Sequence, residues 1–477
     1  MKGNDIMKRL WLSAARILCA ALSVCLLAGS FAACGSDKDT SSAQSSTSSS
    51  DAKVEYNKPE VDPDSKYADP SYDPYASIPE SSKGRTVRYA TWIDHSQTEG
   101  AKVLESFPQK TGINVQLYTV SQWAYVDTLM KSIASGDIPD VYVTSEHNQA
   151  FPLTLQIGQP IDLCSSVDLN DPIWDKSMLE TSKINGHTYL VNTIGSPWSG
   201  SDLVYFNKRI FEDNGFKNPA EYYADGTWTW TTMTKVLKDI SALGDDYLGG
   251  IVDPEILGGS AAASFVKYDY KTATFSSGVN APELQTTYQW YANSCEQKLI
   301  SGNVVKDYGK FTQGKVGLII WGVYGLKKTG HFKDMDPSDI GYTYLPALED
   351  GSKGLTSSIY RMYGIIDGAP NADAAGYFLR YWLDPANYDL GNTFISPEAG
   401  KFYYDLINQS ADKKYFNFDY PCAWLIGESS GSAVFTNGVK SASSAQVNTK
   451  IQSVSNLVDQ AVKAANELVQ KKKDQYK

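Results

Sequence analysis

This sequence is poor in the residues that most often carry catalysis. Its 477 residues include only 6 Cys and 4 His. The cysteines, at 19, 25, 34, 164, 295 and 422, are scattered, and none stands in a C-x-x-C spacing. That pattern is neither a disulfide framework nor a zinc site, although one disulfide stays open. There is no H-E-x-x-H, no Walker phosphate loop and no EF-hand spacing. No metal and no cofactor are expected. Gly427-Glu428-Ser429-Ser430-Gly431 fits G-x-S-x-G. The hydrolase order needs a His after the Ser, yet His95, His147, His187 and His331 all precede it. The match is read as chance. A glycosidase needs only two carboxylates, so a secreted carbohydrate-active hydrolase stays as an alternative that release of reducing sugar would reveal. An excess of positive charge is missing too. The formal net charge is −11, which argues against nucleic acid or an anionic membrane face as partner. No internal repeat is evident.

What is abundant is aromatic. Trp, Tyr and Phe make up 12% of the chain, including 11 Trp and 31 Tyr. Such an excess suits a large core or a surface that stacks flat apolar ligand faces.

Residues 1–33 read as an export signal. Lys8, Arg9 and Arg16 precede or enter an apolar run, Ile17 to Leu27, and small residues follow. Phe31-Ala32-Ala33-Cys34-Gly35 resembles a bacterial lipobox, which implies a diacylated Cys34 at the mature N-terminus. Loss of Lys2, Lys8, Arg9, Arg16 and Asp5 would take the net charge from −11 to −14. Residues 34–83 read as a disordered tether: Ser-rich to Ala52, then rich in Pro, Asp and Tyr, with no sustained apolar period to offset ordering entropy.

Order is expected from Arg85. Val87–Trp92, Ile113–Thr119 and Val141–Thr144 are β-prone. Between them, Ala101, Leu104 and Phe107, then Val126, Leu129, Met130 and Ile133, recur at helical spacing. This βαβαβ pattern opens a parallel sheet. Met233 to Ile240 forms a helix face with Thr229 as N-cap, and Val316–Trp321 reads as a buried strand. Gly364–Asp367 is a short strand, followed by a helix lined by Ala375, Phe378, Leu379 and Trp382. One last helix carries Ile451, Val454, Val458, Ala461, Ala465 and Leu468 on one face. The class is α/β.

Parallel α/β sheets bind ligands beyond the carboxyl ends of their strands. That rule selects Trp92 and Asp94, then Trp123, then Glu146, His147 and Asn148. Rings that stack on C–H faces, with carboxylates and amides that bond hydroxyls, are what a sugar needs. The competing reading of each residue is a helix cap or a turn.

Several segments resemble, in order, the extracellular solute-binding proteins of carbohydrate ABC importers, a family akin to maltodextrin-binding protein. Phe107–Val115 resembles F-x-x-x-T-G-I-x-V, and Gly136-Asp137-Ile138-Pro139-Asp140-Val141 resembles G-D-x-P-D-V. Val204–Phe211 resembles x-x-Y-N-K-x-x-F with Phe206 where Tyr is usual, and Thr229-Trp230 opens a helix. Phe311–Leu318 resembles F-x-x-G-K-x-A-M, with Gly317 and Leu318 departing from it. The resemblance implies a two-lobed, periplasmic-binding-protein-like fold with discontinuous lobes and a hinge. The implied N-lobe is 84–195 plus about 355–400, and the C-lobe about 196–354 plus 401–477. It implies that Trp198 sits at the cleft by the first crossing, Tyr324 at a strand-to-helix turn, and Tyr360 and Arg361 at the second crossing, with Trp424 a further candidate; Trp321, at the end of the strand before that turn, is a candidate as well. Trp228 and Trp230 are expected in the core. The implied function is not enzymatic. It is capture of a carbohydrate, expected to be an oligosaccharide, on the extracellular face of the cell membrane by a monomer held through its lipid anchor, and delivery to the importer's membrane subunits. A binding lipoprotein for a non-sugar solute is the remaining alternative. Tyr324→Ala and Trp198→Ala are each expected to weaken sugar binding at least tenfold, about 1.4 kcal/mol.

Overall fold

A computed structural model describes residues 59–145, 150–198, 200–349, 354–359, 361–388, 393–428 and 430–477. Cys34, Glu146, His147, Asn148 and Tyr360 lie outside the described residues.

The expected βαβαβ opening is β1 (Thr86–Thr91), α1 (Ala101–Thr111), β2 (Asn114–Thr119), α2 (Tyr125–Ala134) and β3 (Val141–Val143). Gly112 ends α1 with φ 72°, a left-handed conformation that costs glycine nothing. The chain then builds a second sheet from β4 (Gly200–Asn207), β5 (Leu248–Ile251), β6 (Ile300–Ser301), β7 (Val316–Gly322), β8 (Ile340–Thr343) and β9 (Thr356–Ile359). Helix α3 (Trp230–Ser241) precedes β5, and α4 (Val304–Thr312) lies between β6 and β7. Strand β10 (Tyr363–Ile365) returns to the first sheet, and α5 (Ala372–Leu383) covers it. A short β11 (Lys414–Tyr415), α6 (Asp419–Leu425) and α7 (Ser455–Gln475) follow.

The first sheet has the order β10-β3-β1-β2, with β1 parallel to both β2 and β3 and β10 antiparallel. The second runs β6-β5-β7-β4-β9-β11, with β8 also paired to β4. The chain passes from β9 in one sheet to β10 in the other, with Arg361 and Met362 leading into β10; the first crossing precedes Gly200. The fold is α/β and two-lobed, each sheet being built from separated stretches of chain.

Strand β4 is buried at all eight positions, which explains why it lacks an apolar–polar alternation. Its alternate residues serve two cores. Val204 and Phe206 pack with Trp228, Trp230, Leu318 and Ile320, whereas Leu203 and Tyr205 join Ile319 and Val323 in a core that continues into the first sheet. Trp228 and Trp230 are core residues as expected, 3% exposed each, with indole N–H groups donating to the Tyr344 carbonyl and the Ser260 hydroxyl. Thr229 caps α3 in a capping box with Thr232.

Two expectations need correction. The last helical stretch is broken at Val454, between Val447–Ser453 and α7, yet Ile451, Val458, Ala461 and Ala465 still share a buried face. The tether reading fails over its described residues, 59–83. Lys66 and Tyr67 both reach Asp168, Lys110 pairs with Asp73 at 2.6 Å, and Tyr75 packs edge-on against Tyr381. The tyrosines and aspartates that made this segment look unstructured are the groups that bind it to the first lobe. Cys164, Cys295 and Cys422 are free thiols.

Candidate functional site

The carboxyl end of β1 delivers Trp92 to the seam between the lobes. The indole is half-buried, packs edge-on against Tyr125 at 5.3 Å, and carries the Arg361 guanidinium over its face at 5.8 Å. A strand-end residue of the first sheet and a residue of the crossing segment thus meet at one point. The Arg361 carbonyl accepts from the Asn192 amide at 2.9 Å, which fixes the crossing segment to the first lobe.

Beyond Trp92, the chain turns through a short helical loop. Asp94 caps it, accepting from the Ser96 backbone N–H and hydroxyl at 3.1 and 2.6 Å. Its observed role is therefore the cap, the bland alternative weighed from sequence. His95 is buried, within 3.5 Å of the Tyr89 and Thr91 hydroxyls. Burial, with the Arg361 charge nearby, lowers its pKa to about 3, so the imidazole is neutral near pH 7. Glu99, at the end of this loop, reaches across the seam to Lys327 at 3.0 Å. Burial is the largest influence and raises the Glu99 pKa, but the Lys327 charge together with hydrogen bonds from the Glu99 backbone and Lys327 outweighs it, and the carboxyl sits below its ordinary value.

Lys327 ends the turn that follows β7, in which Tyr324 is half-buried. Tyr324, Arg361 and Glu99 all lie near enough to the buried Tyr403 to act on its titration electrostatically. The seam therefore gathers Trp92, Glu99, Tyr324, Lys327 and Arg361. Three of these five were expected from sequence. Glu99 and Lys327 were not; no spacing links residues 228 positions apart. From Tyr324 and Lys327 a cavity of about 590 Å3 opens past Tyr308, Thr312 and His331.

The remaining candidates fall elsewhere. Trp198 does not face a cleft. It is 5% exposed, stacked on Trp382 at 5.3 Å and 8°, and donates its indole N–H to the Tyr388 hydroxyl at 3.1 Å. Its neighbours come from α5 and the turn after it, so the crossing leads it into the core. Trp321 is half-buried beneath His331, whose ring covers it at 3.7 Å and 10°. Trp123 stands at the carboxyl end of β2 and is 61% exposed. Trp424, on α6, lies half-buried with its ring parallel to that of Tyr420. Among the described residues, no group of three or more His, Cys, Asp or Glu is placed to hold a metal ion.

The sequence pattern of the family described as bacterial extracellular solute-binding protein matches residues 94–389, well over half of the chain. The chain belongs to that family. Its members are binding proteins rather than enzymes, and their place is outside the cytoplasmic membrane. Solved structures agree on the fold. The GacH receptor of Streptomyces glaucescens, solved unliganded and with acarbose, is 15% identical over 82% of this chain and 99% of its own, with a TM-score of 0.55. The sugar-binding protein MalE of Xanthomonas citri is 15% identical over 81% of this chain and 98% of its own, with a TM-score of 0.56. UgpB of Mycobacterium tuberculosis, in complex with glycerophosphocholine, is 16% identical over 78% and 98%, with a TM-score of 0.56. No curated protein matches in sequence.

Proposed function

We propose that this solute-binding protein captures a carbohydrate in the seam between its two sheets and hands it to the membrane subunits of an ABC importer. The observation that carries the reading is the Arg361 guanidinium, on the segment that crosses between the sheets, lying 5.8 Å over the Trp92 ring at the end of β1, with Tyr324 on the turn that sends Lys327 across to Glu99. Two part-buried aromatic rings, one from each lobe, and a guanidinium at the crossing offer stacking faces and hydroxyl-bonding donors along the seam. A ligand touching both lobes favours their closed arrangement by its differential affinity for it, which gives the importer a state to recognise. The GacH receptor and MalE, with the same fold, support the sugar class. Cys34 would carry the lipid that holds the monomer at the outer face of the membrane.

Calorimetry with a panel of neutral and acidic oligosaccharides tests the reading. Trp92→Ala and Tyr324→Ala should each lower affinity at least tenfold, about 1.4 kcal/mol. Unchanged affinity in both would remove this site. UgpB favours a second reading, a phosphorylated polyol ester as solute, which the same titration distinguishes. Labelled palmitate should enter the native chain and not Cys34→Ala.

A further inference from the structure

A second cavity, of about 550 Å3, opens on the second lobe. Asn207 ends β4 there, and Gly314 stands just before β7. Strand β7 runs antiparallel to β4, so this is the end of the sheet opposite to Tyr324, which follows β7. The seven residues of β7 put roughly 20 Å between the two ends. Thr312 and Asp334 also line the cavity that opens from Tyr324; the other walls do not.

Asn207 is 4% exposed and holds the N-cap of the helix Lys208–Asn214, a place where an Asn side chain normally accepts from the helix. Here it does not cap, and among the described residues no group bonds its amide. The amide nitrogen lies instead beside Gly314, where a Cβ would stand 3.7 Å from it. A buried amide left unpaired is costly, which points to a partner that enters the cavity. Around it the charge is negative. Asp213, Asp334, Asp336 and Asp339 line the cavity with one guanidinium, Arg209, which is committed to Asp339 at 2.7 Å. Asp334 pairs with Lys333 at 3.4 Å, but both are mostly exposed, and such a pair contributes little. Lys315 is turned to the Tyr247 ring at 5.1 Å and to Asp246 at 3.8 Å. Asp213 forms no ion pair among the described residues. These carboxylates do not converge as metal ligands do: among the described residues, no three acids, imidazoles or thiols are placed around one ion. The cation that fits is extended rather than compact, with its charges spread along its length.

We infer that this cavity is a second binding site, on one lobe alone, for an organic cation with two or more ammonium groups. Its ammoniums would reach the carboxylates of Asp213 and Asp334, and one would donate to the Asn207 side-chain carbonyl. The site is independent of the carbohydrate reading, since none of Trp92, Tyr324 and Arg361 lines it.

The full chain is titrated by calorimetry with spermidine, putrescine and magnesium chloride at one ionic strength. Spermidine should bind at a single site, at least tenfold more tightly than magnesium and more tightly than putrescine. Asp213→Asn combined with Asp334→Asn should lower spermidine affinity at least tenfold, and Asn207→Ala at least threefold. Glu105→Gln combined with Asp127→Asn removes the same two charges from exposed positions on the first lobe, and should leave that affinity within twofold. A ligand of the folded chain raises stability by mass action, so spermidine at 100 times its dissociation constant should lift the native Tm by about 3 °C. Circular dichroism of each variant confirms that it is folded. Equal losses in the two double variants, or magnesium binding as tightly as spermidine, would reduce the effect to bulk negative charge and overturn the site. A native chain that takes up no spermidine would overturn it as well.

Discussion

Trp198→Ala separates two accounts of one residue. At the first crossing, next to a Gly-Ser-Pro turn, Trp198 reads as a ring on the floor of a cleft. In the structure it is sealed between Trp382, Tyr388 and His95, with ring centroids at 5.3, 5.8 and 4.7 Å. Truncating a buried Trp costs about 3–5 kcal/mol through lost transfer energy and the remaining cavity. Here the indole also donates to Tyr388, whose hydroxyl donates in turn to the Trp382 carbonyl, so the upper half of that range is expected. With an unfolding entropy of about 2.1 cal/mol/K per residue, the roughly 400 described residues give about 0.85 kcal/mol/K, and the loss amounts to about 5–6 °C in Tm. Differential scanning calorimetry and ligand titration are run on the same preparation. A fall in Tm with affinity within threefold supports the core assignment. A Tm within 1 °C of native, together with lost binding, would refute the packing argument.

Three further outcomes follow from the same contacts. Asp419 is fully buried on α6, and its carboxylate accepts from the Phe265 and Val266 N–H groups at 3.1 and 2.7 Å. Burial nevertheless raises its pKa to about 7. The folded chain then holds a proton that the unfolded chain has released, so stability should fall as pH rises from about 4 to 7, by on the order of 4 kcal/mol at most. Chemical denaturation between pH 5 and 8 should show that slope in the native chain and a flatter one in Asp419→Asn; equal slopes would reject it. Glu99→Gln should weaken the tie to Lys327, part-buried at both ends, by about 1–3 kcal/mol. The Glu99 carboxyl titrates below its ordinary value, so the native tie holds at neutral pH and is lost as pH falls through that lowered pKa; a Tm difference between the two chains that fails to shrink as the medium is acidified would argue against the pair. Tyr75→Ala should release the segment before β1, seen as faster hydrogen exchange over residues 66–83 with Tm within about 2 °C. Fast exchange there in the native chain would restore the tether reading.

Much of the fold was legible because its signals are local. The period-3.6 faces of α2 and α3, the Thr229 cap and the Gly112 stop all act within one or two turns, and each element stands within a few residues of its expected place. The break at Val454 was not legible, since both halves keep one apolar face. The segment before β1 was misread for a related reason. Apart from Lys110, its partners, Asp168, Arg380 and Tyr381, lie about 100 to 300 residues away, and composition says nothing of them.

The site divides along the same line. Strand ends are local, so Trp92 and Tyr324 could be found. What a tryptophan does once it leaves a strand end is decided by distant chain. Trp92 meets Arg361, a cation that keeps the seam polar, whereas Trp198 meets Trp382 and Tyr388 and is closed over. Gly100 shows how closely that second environment is packed. A Cβ there would stand 2.4 Å from the Trp382 ring, so the loop after β1 can approach α5 only because residue 100 has no side chain. Gly100→Ala should therefore disturb the Trp198 stack from the opposite side and lower Tm, and it should do so without touching Tyr324. If it weakened ligand binding as strongly as Tyr324→Ala while leaving Tm unchanged, the division between a packed aromatic core and an open aromatic seam would not hold.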